Sequence, residues 1–380
     1  MMDSESYRTA VQVVCGLYVL MKLLVVFPNM FGKKAVTLPA GVVIGHRGSK
    51  EEGVPENTLL SFQDALLAGV DIIELDVWLS KDGQIVVFHD PNFDRMTGGA
   101  CKEEVISLDY KDFPALVPQE GQKERIDEAT KRANSSNGNG KGGKTAKKMK
   151  YDYDRVPLFE EVLALLPEDK GLIIEFKQDS EELMDKVHKL VRGGSKALQA
   201  NVIWFSLQVK INNKLLVKDP TIPRITSLIE MLRTVLWWKV GLMPFLPSTL
   251  DVYGATMSEI TEAQLQKEKG LAMLPPSLRS FVYRFLKGKP PAMLYQPKLY
   301  TYLRTKGKAV FLLGVNSEED ALIAQHCGGT HILTDRPNEV VKAVRKLKLQ
   351  YWPVQQGEWE KKAVAAAMKN KLPKTMGRTR

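Results

Sequence analysis

The stretch that most limits how this chain can fold is residues 42–90, VVIGHRGSKEEGVPENTLLSFQDALLAGVDIIELDVWLSKDGQIVVFHD. It opens with a short apolar run that ends in a polar turn, Gly45-His46-Arg47-Gly48. A helix over 57–69 follows: Asn57 or Thr58 can cap it, Leu59, Phe62, Ala65 and Leu66 make its apolar stripe, and Gly69 stops it. Residues 71–79 are a strand, and Lys81-Asp82-Gly83-Gln84 is a turn. Residues 84–89 run back from that turn, either as a barrel strand or as a hairpin extension of the strand before. Strand–helix–strand order predicts an α/β fold with a parallel sheet.

Further along, strands are expected at 171–176, 201–206, 221–226, 251–257, 308–315 and 329–334. Helices are expected at 158–166, 180–192, 207–217, 317–326 and 336–347. Nine strand candidates then compete for the eight places of a (β/α)8 TIM barrel spanning 37–350. Residues 120–150 interrupt the pattern with nine bases, four acids and almost no large apolar side chains, so they are read as a disordered basic insert. Its Gly-Lys pairs are not a phosphate loop, because no strand precedes them and no apolar helix follows.

With 380 residues and 44% hydrophobic content, the chain can bury one large core or two smaller ones. Its net charge of +10 suits a polyanion or acidic lipid, while no nucleic-acid module is present, so nucleic acid is not an expected partner. Three scattered cysteines point to a reducing compartment rather than a disulfide framework. Residues 9–31, TAVQVVCGLYVLMKLLVVFPNMF, are long enough to reach across the ~30 Å hydrocarbon core of a bilayer. A membrane span or interfacial anchor within residues 1–36 is the expectation, a buried core helix the alternative, and a cleaved signal peptide fits less well. Lys33 and Lys34 follow the apolar block, which places the downstream domain in the cytosol by the positive-inside rule, on the endoplasmic reticulum or another endomembrane. Two amphipathic blocks, 227–250 and 274–295, and a basic tail within 351–380 add to the membrane reading; ordinary barrel helices and a solvated tail are the plainer one.

The chemistry starts from Glu74 and Asp76, whose i, i+2 spacing in a strand puts both carboxylates on one face. Such a pair repels unless a proton or cation lies between its members. Glu175 sits near the end of another strand, and barrel enzymes gather catalytic groups at such ends. Three carboxylates are hard oxygen ligands and favour Mg²⁺ or Ca²⁺ over zinc. Lys177 shares a face with Glu175 and suits a phosphate oxygen beside a metal, the alternative being a buried salt bridge. His46 and His89 each follow an apolar strand and open a polar turn, as candidates for general base and general acid. Arg47 can fork onto a phosphate. His188 reads as a surface residue, and His326, Cys327 and His331 as a loose Cys/His group whose spacing matches no standard zinc site.

HRG, PENT, the helix ending in AG, ELDVWLSKDG, VVFHD, VPLFEEVL, IIEFK and THILTDRP together resemble the glycerophosphodiester phosphodiesterase family, in pieces over 41–347 and most strongly at 42–90. The resemblance implies a metal-dependent (β/α)8 barrel that splits a phosphodiester next to glycerol. It implies His46 and His89 as the acid–base pair, Glu74, Asp76 and Glu175 as metal ligands, Arg47 and Lys177 on the phosphate, and Asn57 supporting the substrate site through hydrogen bonds. The N-terminal apolar block and WWKVGLMPFLP resemble the family's membrane-bound lysophospholipase D subgroup, which releases a headgroup from lysophospholipids and leaves lysophosphatidic acid. Phe176 stands where that family often has Ile, and 311–316 lacks the Trp often found there. Three rivals stay open: a phosphodiesterase for soluble glycerophosphodiesters, a sphingomyelinase D-like barrel, against which Pro-Glu-Asn-Thr argues, and a non-enzymatic membrane scaffold.

The topology can be checked at Asn134-Ser135-Ser136, a glycosylation sequon within the insert. A cytosolic domain leaves Asn134 unmodified in mass spectra of protein expressed in eukaryotic cells, and a glycan there reverses the orientation.

Overall fold

The computed structural model describes residues 4–26, 38, 42–127, 155–243, 250–257, 280 and 296–349. Its centre is a sheet of parallel strands in which β1 (Val43–Gly45) lies between β2 (Ile72–Leu79) and β8 (His331–Thr334). On one side β2 pairs with β4 (Gly171–Phe176) and β4 with β5 (Val202–Phe205). On the other, β8 pairs with β7 (Ala309–Leu313) and β7 with β6 (Val252–Thr256). Two parallel bridges, Trp204 to Arg224 and Ile225 to Val252, join the outer strands through residues 224–225. The sheet therefore curls back on itself in a TIM-barrel-like way. The strand expected at 221–226 is reduced to those two bridges, because Pro223 has no N–H to extend the ladder. The hairpin alternative holds for 84–89: β3 (Ile85–Val87) pairs antiparallel with the far end of β2.

Side chains alternate across each strand, and the alternation sorts them into two cores. Ile44, Ile72, Ile173, Phe205, Ile225, Phe311 and Leu333 fill the interior of the curl. Ile73, Leu75, Val77, Ile174 and Phe176 face outward into a larger cluster that includes helix side chains such as Phe62, Phe159, Val187 and Val341. Full burial of each such side chain stabilises the fold by about 1.5–3 kcal/mol. Above the interior cluster, at the C-terminal ends of the strands, the inward positions become polar: Glu74 and Asp76 follow Ile72, and Glu175 follows Ile173.

Helix α2 (Leu59–Ala68) starts at Thr58, whose side chain accepts from the Ser61 backbone while the Ser61 hydroxyl accepts from the Thr58 backbone. Gly69 ends it in the left-handed conformation. Ser61 also donates to the Arg47 carbonyl, as does the Asn57 backbone N–H, so the cap of α2 fixes the loop after β1. A separate small cluster of Val86, Phe88, Phe93, Val105, Leu116 and Val156 packs over the hairpin and carries the segment after His89.

The expected disorder of the insert does not begin at residue 120. Residues 122–127 are helical, Gln122 is buried, and Ile126 packs against Val54 and Leu60, while residues 128–150 lie outside the described ones. The apolar contact of Ile126 and a hydrogen bond from Arg125 Nε to the Glu52 carbonyl hold this segment against the domain. The N-terminal helix α1 (Ser4–Val26) is no core helix: each of its described side chains is exposed, Val13, Val14, Leu17, Val19 and Leu20 among them. Among the described residues no helix is long and apolar enough to cross a membrane. Within the first amphipathic block, Leu228–Val240 is helical, with Met231 and Val235 buried and Ile229, Leu236 and Val240 exposed. The second block, apart from residue 280, and the tail from 351 lie outside the described residues.

Gly48 has φ +80°, and a Cβ there would fall 2.6 Å from the backbone carbonyl carbon of Ser61. Gly48→Ala should cost about 1–3 kcal/mol in chemical denaturation through that strain, and should disturb the His46-Arg47 turn beside it.

Candidate active site

At the open end of the curl, neighbouring strands bring together carboxylates that are far apart in sequence. In the β2–β4 register Asp76 lies beside Glu175, and Glu74 precedes Asp76 by one inward position. Glu74, Asp76 and Glu175 are all buried, and their ligand oxygens lie within 4.8 Å of one another. Lys177 continues the inward face of β4, its Nζ 2.9 Å from Asp76 Oδ1 and 2.8 Å from Glu175 Oε1. Arg47 reaches the same centre from the loop after β1, with Nε 3.2 Å from Asp76 Oδ2. Its backbone N–H donates to Glu74 Oε2 at 2.8 Å. Asn57 Nδ2 donates to Asp76 Oδ2 at 2.7 Å, so this buried amide holds a carboxylate in place.

The electrostatics divide the three acids. Burial raises Glu74 well above the usual carboxylate range, and repulsion from Asp76 and Glu175 adds to it. Burial likewise lifts Glu175, and with Asp76 outweighs the pull of Lys177, to about 7. For Asp76 the order reverses: burial would raise it, but Lys177 and Arg47 hold it well below the ordinary value. The cluster carries more negative charge than its two cations settle, which is the condition for taking up a proton or a further cation.

Two imidazoles flank the cluster. His46 Nε2 lies 4.0 Å from Glu74 Oε2, and its Nδ1 is 2.7 Å from Asp335 Oδ1. His89 Nδ1 is 2.7 Å from Asp90 Oδ1, at the end of the hairpin. Burial lowers His46 to about 4, with Asp335 opposing, and lowers His89 also, with Asp90 opposing. On the rim, Glu56 accepts from Arg47 Nη1 at 2.9 Å and from Arg95 Nη2 at 2.6 Å, and Arg95 Nε donates to Asp90 Oδ2 at 2.6 Å.

Buried carboxylates, two cations and two imidazoles suit the cleavage of a phosphate ester, and comparison with known proteins identifies the family. The sequence model of the glycerophosphoryl diester phosphodiesterase family matches residues 46–339. The chain belongs to that family. Among its relatives are the human lysophospholipase D GDPD1, 27% identical over 318 residues covering 84% of this chain and 90% of that one, and the human lysophospholipase D GDPD3, 23% identical over 77% and 81%. In structure it resembles the glycerophosphodiester phosphodiesterase of Agrobacterium tumefaciens, with a TM-score of 0.53 and 20% identity over 80% of this chain and all of that one. A phosphodiesterase of Oleispira antarctica, solved with the product sn-glycerol-3-phosphate, superposes with a TM-score of 0.51 at 18% identity over 81% and 97%.

In this phosphodiesterase all eight residues singled out from the sequence, His46, Arg47, Asn57, Glu74, Asp76, His89, Glu175 and Lys177, belong to one site. His188 pairs with Asp219 away from it. The loose Cys/His group does not assemble: His331 is buried against Phe311, His326 is exposed on a helix, and among the described residues only the three carboxylates are grouped as metal ligands. Four site residues escaped the sequence reading: Glu56, Asp90, Arg95 and Asp335. Asp335 was within reach, since it continues the inward alternation of His331 and Leu333. The buried all-oxygen donor set suits a hard divalent cation.

Protons compete with such a cation for Glu74 and Glu175, whose raised values mean that both hold protons at low pH. Cation binding releases those protons, so it should tighten as pH rises from about 5 to about 8. Calorimetric titration with Mg²⁺ or Ca²⁺ checks this, and a chelator should remove the activity.

Proposed function

We propose that the protein is a metal-dependent hydrolase of lipid metabolism. In this reading it cleaves lysophospholipids to lysophosphatidic acid and a headgroup alcohol. The observation that carries the hydrolytic chemistry is the buried Glu74/Asp76/Glu175 cluster, flanked by the imidazoles of His46 and His89 and joined by Arg47 and Lys177. A divalent cation, Mg²⁺ or Ca²⁺, held by the three carboxylates would neutralise charge on the phosphate. Arg47 and Lys177 add fixed positive charge where phosphate oxygens become more negative. One histidine takes the proton of the glycerol hydroxyl next to the phosphate, and that oxygen attacks phosphorus. The bond to the headgroup oxygen breaks, and the other histidine, which enters the step as its imidazolium, supplies that oxygen with a proton. Water then opens the cyclic phosphate, with the two rings exchanging roles.

The lipid side of the proposal rests on α1, whose described apolar side chains are exposed, and on the names of the relatives. An apolar helix exposed in this way is stable in the headgroup–acyl boundary of a membrane. We place the catalytic domain on the cytosolic face of an endomembrane, with residues 9–31 as its attachment. The exposed Ile229, Leu236 and Val240 beside Arg233 and Lys239 form a second apolar strip rimmed by basic residues.

His46→Ala and His89→Ala should each lower turnover by at least about 10²-fold, the scale of one general acid–base group; full activity in either variant defeats the scheme. Rates on lysophosphatidylcholine and glycerophosphocholine, measured with membrane-reconstituted protein and each metal, decide between lipid and soluble substrates. Faster turnover of glycerophosphocholine would favour the soluble glycerophosphodiesters, with glycerol 3-phosphate as product. No hydrolysis of either would leave a membrane scaffold.

A further inference from the structure

Asp335 is a rim carboxylate held at both of its oxygens. It follows β8, and the β1–β8 register sets it beside His46: Gly45 pairs with Thr334, and the His46 backbone N–H donates to the Thr334 carbonyl. Its Oδ1 meets His46 Nδ1 at 2.7 Å and Lys50 Nζ at 2.5 Å. Its Oδ2 accepts from Asn316 Nδ2 at 3.0 Å, while its own backbone N–H donates to Asn316 Oδ1 at 2.8 Å. The carboxylate thus has a fixed orientation, with one oxygen aimed at the ring and the other tied back.

We infer that Asp335 is the positioning residue of His46: it holds the imidazole in its Nδ1–H form and turns the bare Nε2 toward the carboxylate cluster. This deepens the phosphodiesterase reading and rests on it for the role of His46. The reason is donor arithmetic. An ionised carboxylate only accepts hydrogen bonds, so the nitrogen 2.7 Å from it carries the hydrogen. Lys50 and Asn316 supply further donors to the same carboxylate and favour its ionised form. In the neutral ring the other nitrogen then has a free lone pair, and it faces the centre where Glu74 Oε2 lies 4.0 Å away. A proton accepted at Nε2 makes an imidazolium that Asp335 stabilises from behind, without Asp335 touching the substrate.

The experiment uses full-length protein labelled with ¹⁵N-histidine and loaded with Mg²⁺. In the wild type the His46 signals, assigned by their loss in His46→Ala, should show hydrogen on Nδ1 and none on Nε2. Hydrogen on Nε2 overturns the inference whether or not any variant folds. Asp335→Asn replaces an acceptor-only group with an amide that meets donors from both Lys50 and Asn316. It should shift His46 toward the Nε2–H form and lower kcat for lysophosphatidylcholine by about 10- to 100-fold, the cost of losing an orienting partner. KM and Mg²⁺ affinity should stay within about threefold, because the phosphate and cation groups are untouched. A folded Asp335→Asn protein with wild-type kcat, or with lost kcat and an unchanged Nδ1–H signal, overturns the inference. A wild type that is inactive on every substrate while showing Nδ1–H would instead count against the phosphodiesterase reading.

Discussion

The structure of the site is organised by repulsion among three buried carboxylates. Two unit charges about 4 Å apart interact by about 4 kcal/mol at an effective dielectric of 20, so three acids in this space are costly unless they are partnered. The protein supplies part of the compensation from different elements. Lys177 comes from the residue after the strand that holds Glu175, Arg47 from the loop after β1, and Asn57 from the turn before α2. Burial raises Glu74 and Glu175, and the repulsion left uncompensated adds to it. A fold that kept those acids only for stability would do better with apolar residues. Their retention makes sense when a cation and a phosphodiester complete the charge balance.

That arrangement places demands on the surrounding loops. Arg47 adopts a positive φ of 53° and Asn57 one of 56°, conformations disfavoured for such residues and sustained by local bonds. The Thr58–Ser61 cap does part of that work by tying the Arg47 carbonyl to α2. Farther out, Glu56 and Arg95 join the loop after β1 to the segment after the hairpin, so the two imidazoles are anchored to a common frame of alternating charges. Each ring has a carboxylate on Nδ1, drawn from the next residue in one case and from the residue after β8 in the other.

Much of this was legible in the sequence, because strand alternation is a local rule. Glu74, Asp76, Glu175 and Lys177 declare their shared face by spacing alone, and His46 and His89 by closing apolar runs. The same rule extends from Leu333 to Asp335, but a single acid after a strand gives no sign of its partner until the register of β1 and β8 is known. Glu56 and Arg95 lie in loops without periodicity, 39 positions apart, so nothing local connects them. The sixth strand position was overestimated, since an apolar run with Pro223 cannot sustain a ladder, and the insert was read as disordered from 120 although Ile126 anchors its first turns.

By itself, then, the sequence determined the α/β class, the helix caps, the inward carboxylates and the apolar N-terminal stretch. These follow from periodicity, side-chain chemistry and composition, which act over a few residues. Only the tertiary structure decided that 84–89 is a hairpin outside the parallel ladder, that the described side chains of α1 are exposed rather than packed in a core, and that Asp335 stands behind His46. The physical reason is that register, exposure and hydrogen-bond partners are set by elements meeting in space. Residues 46 and 335, 289 positions apart in the chain, become neighbours only when the first and last strands pair.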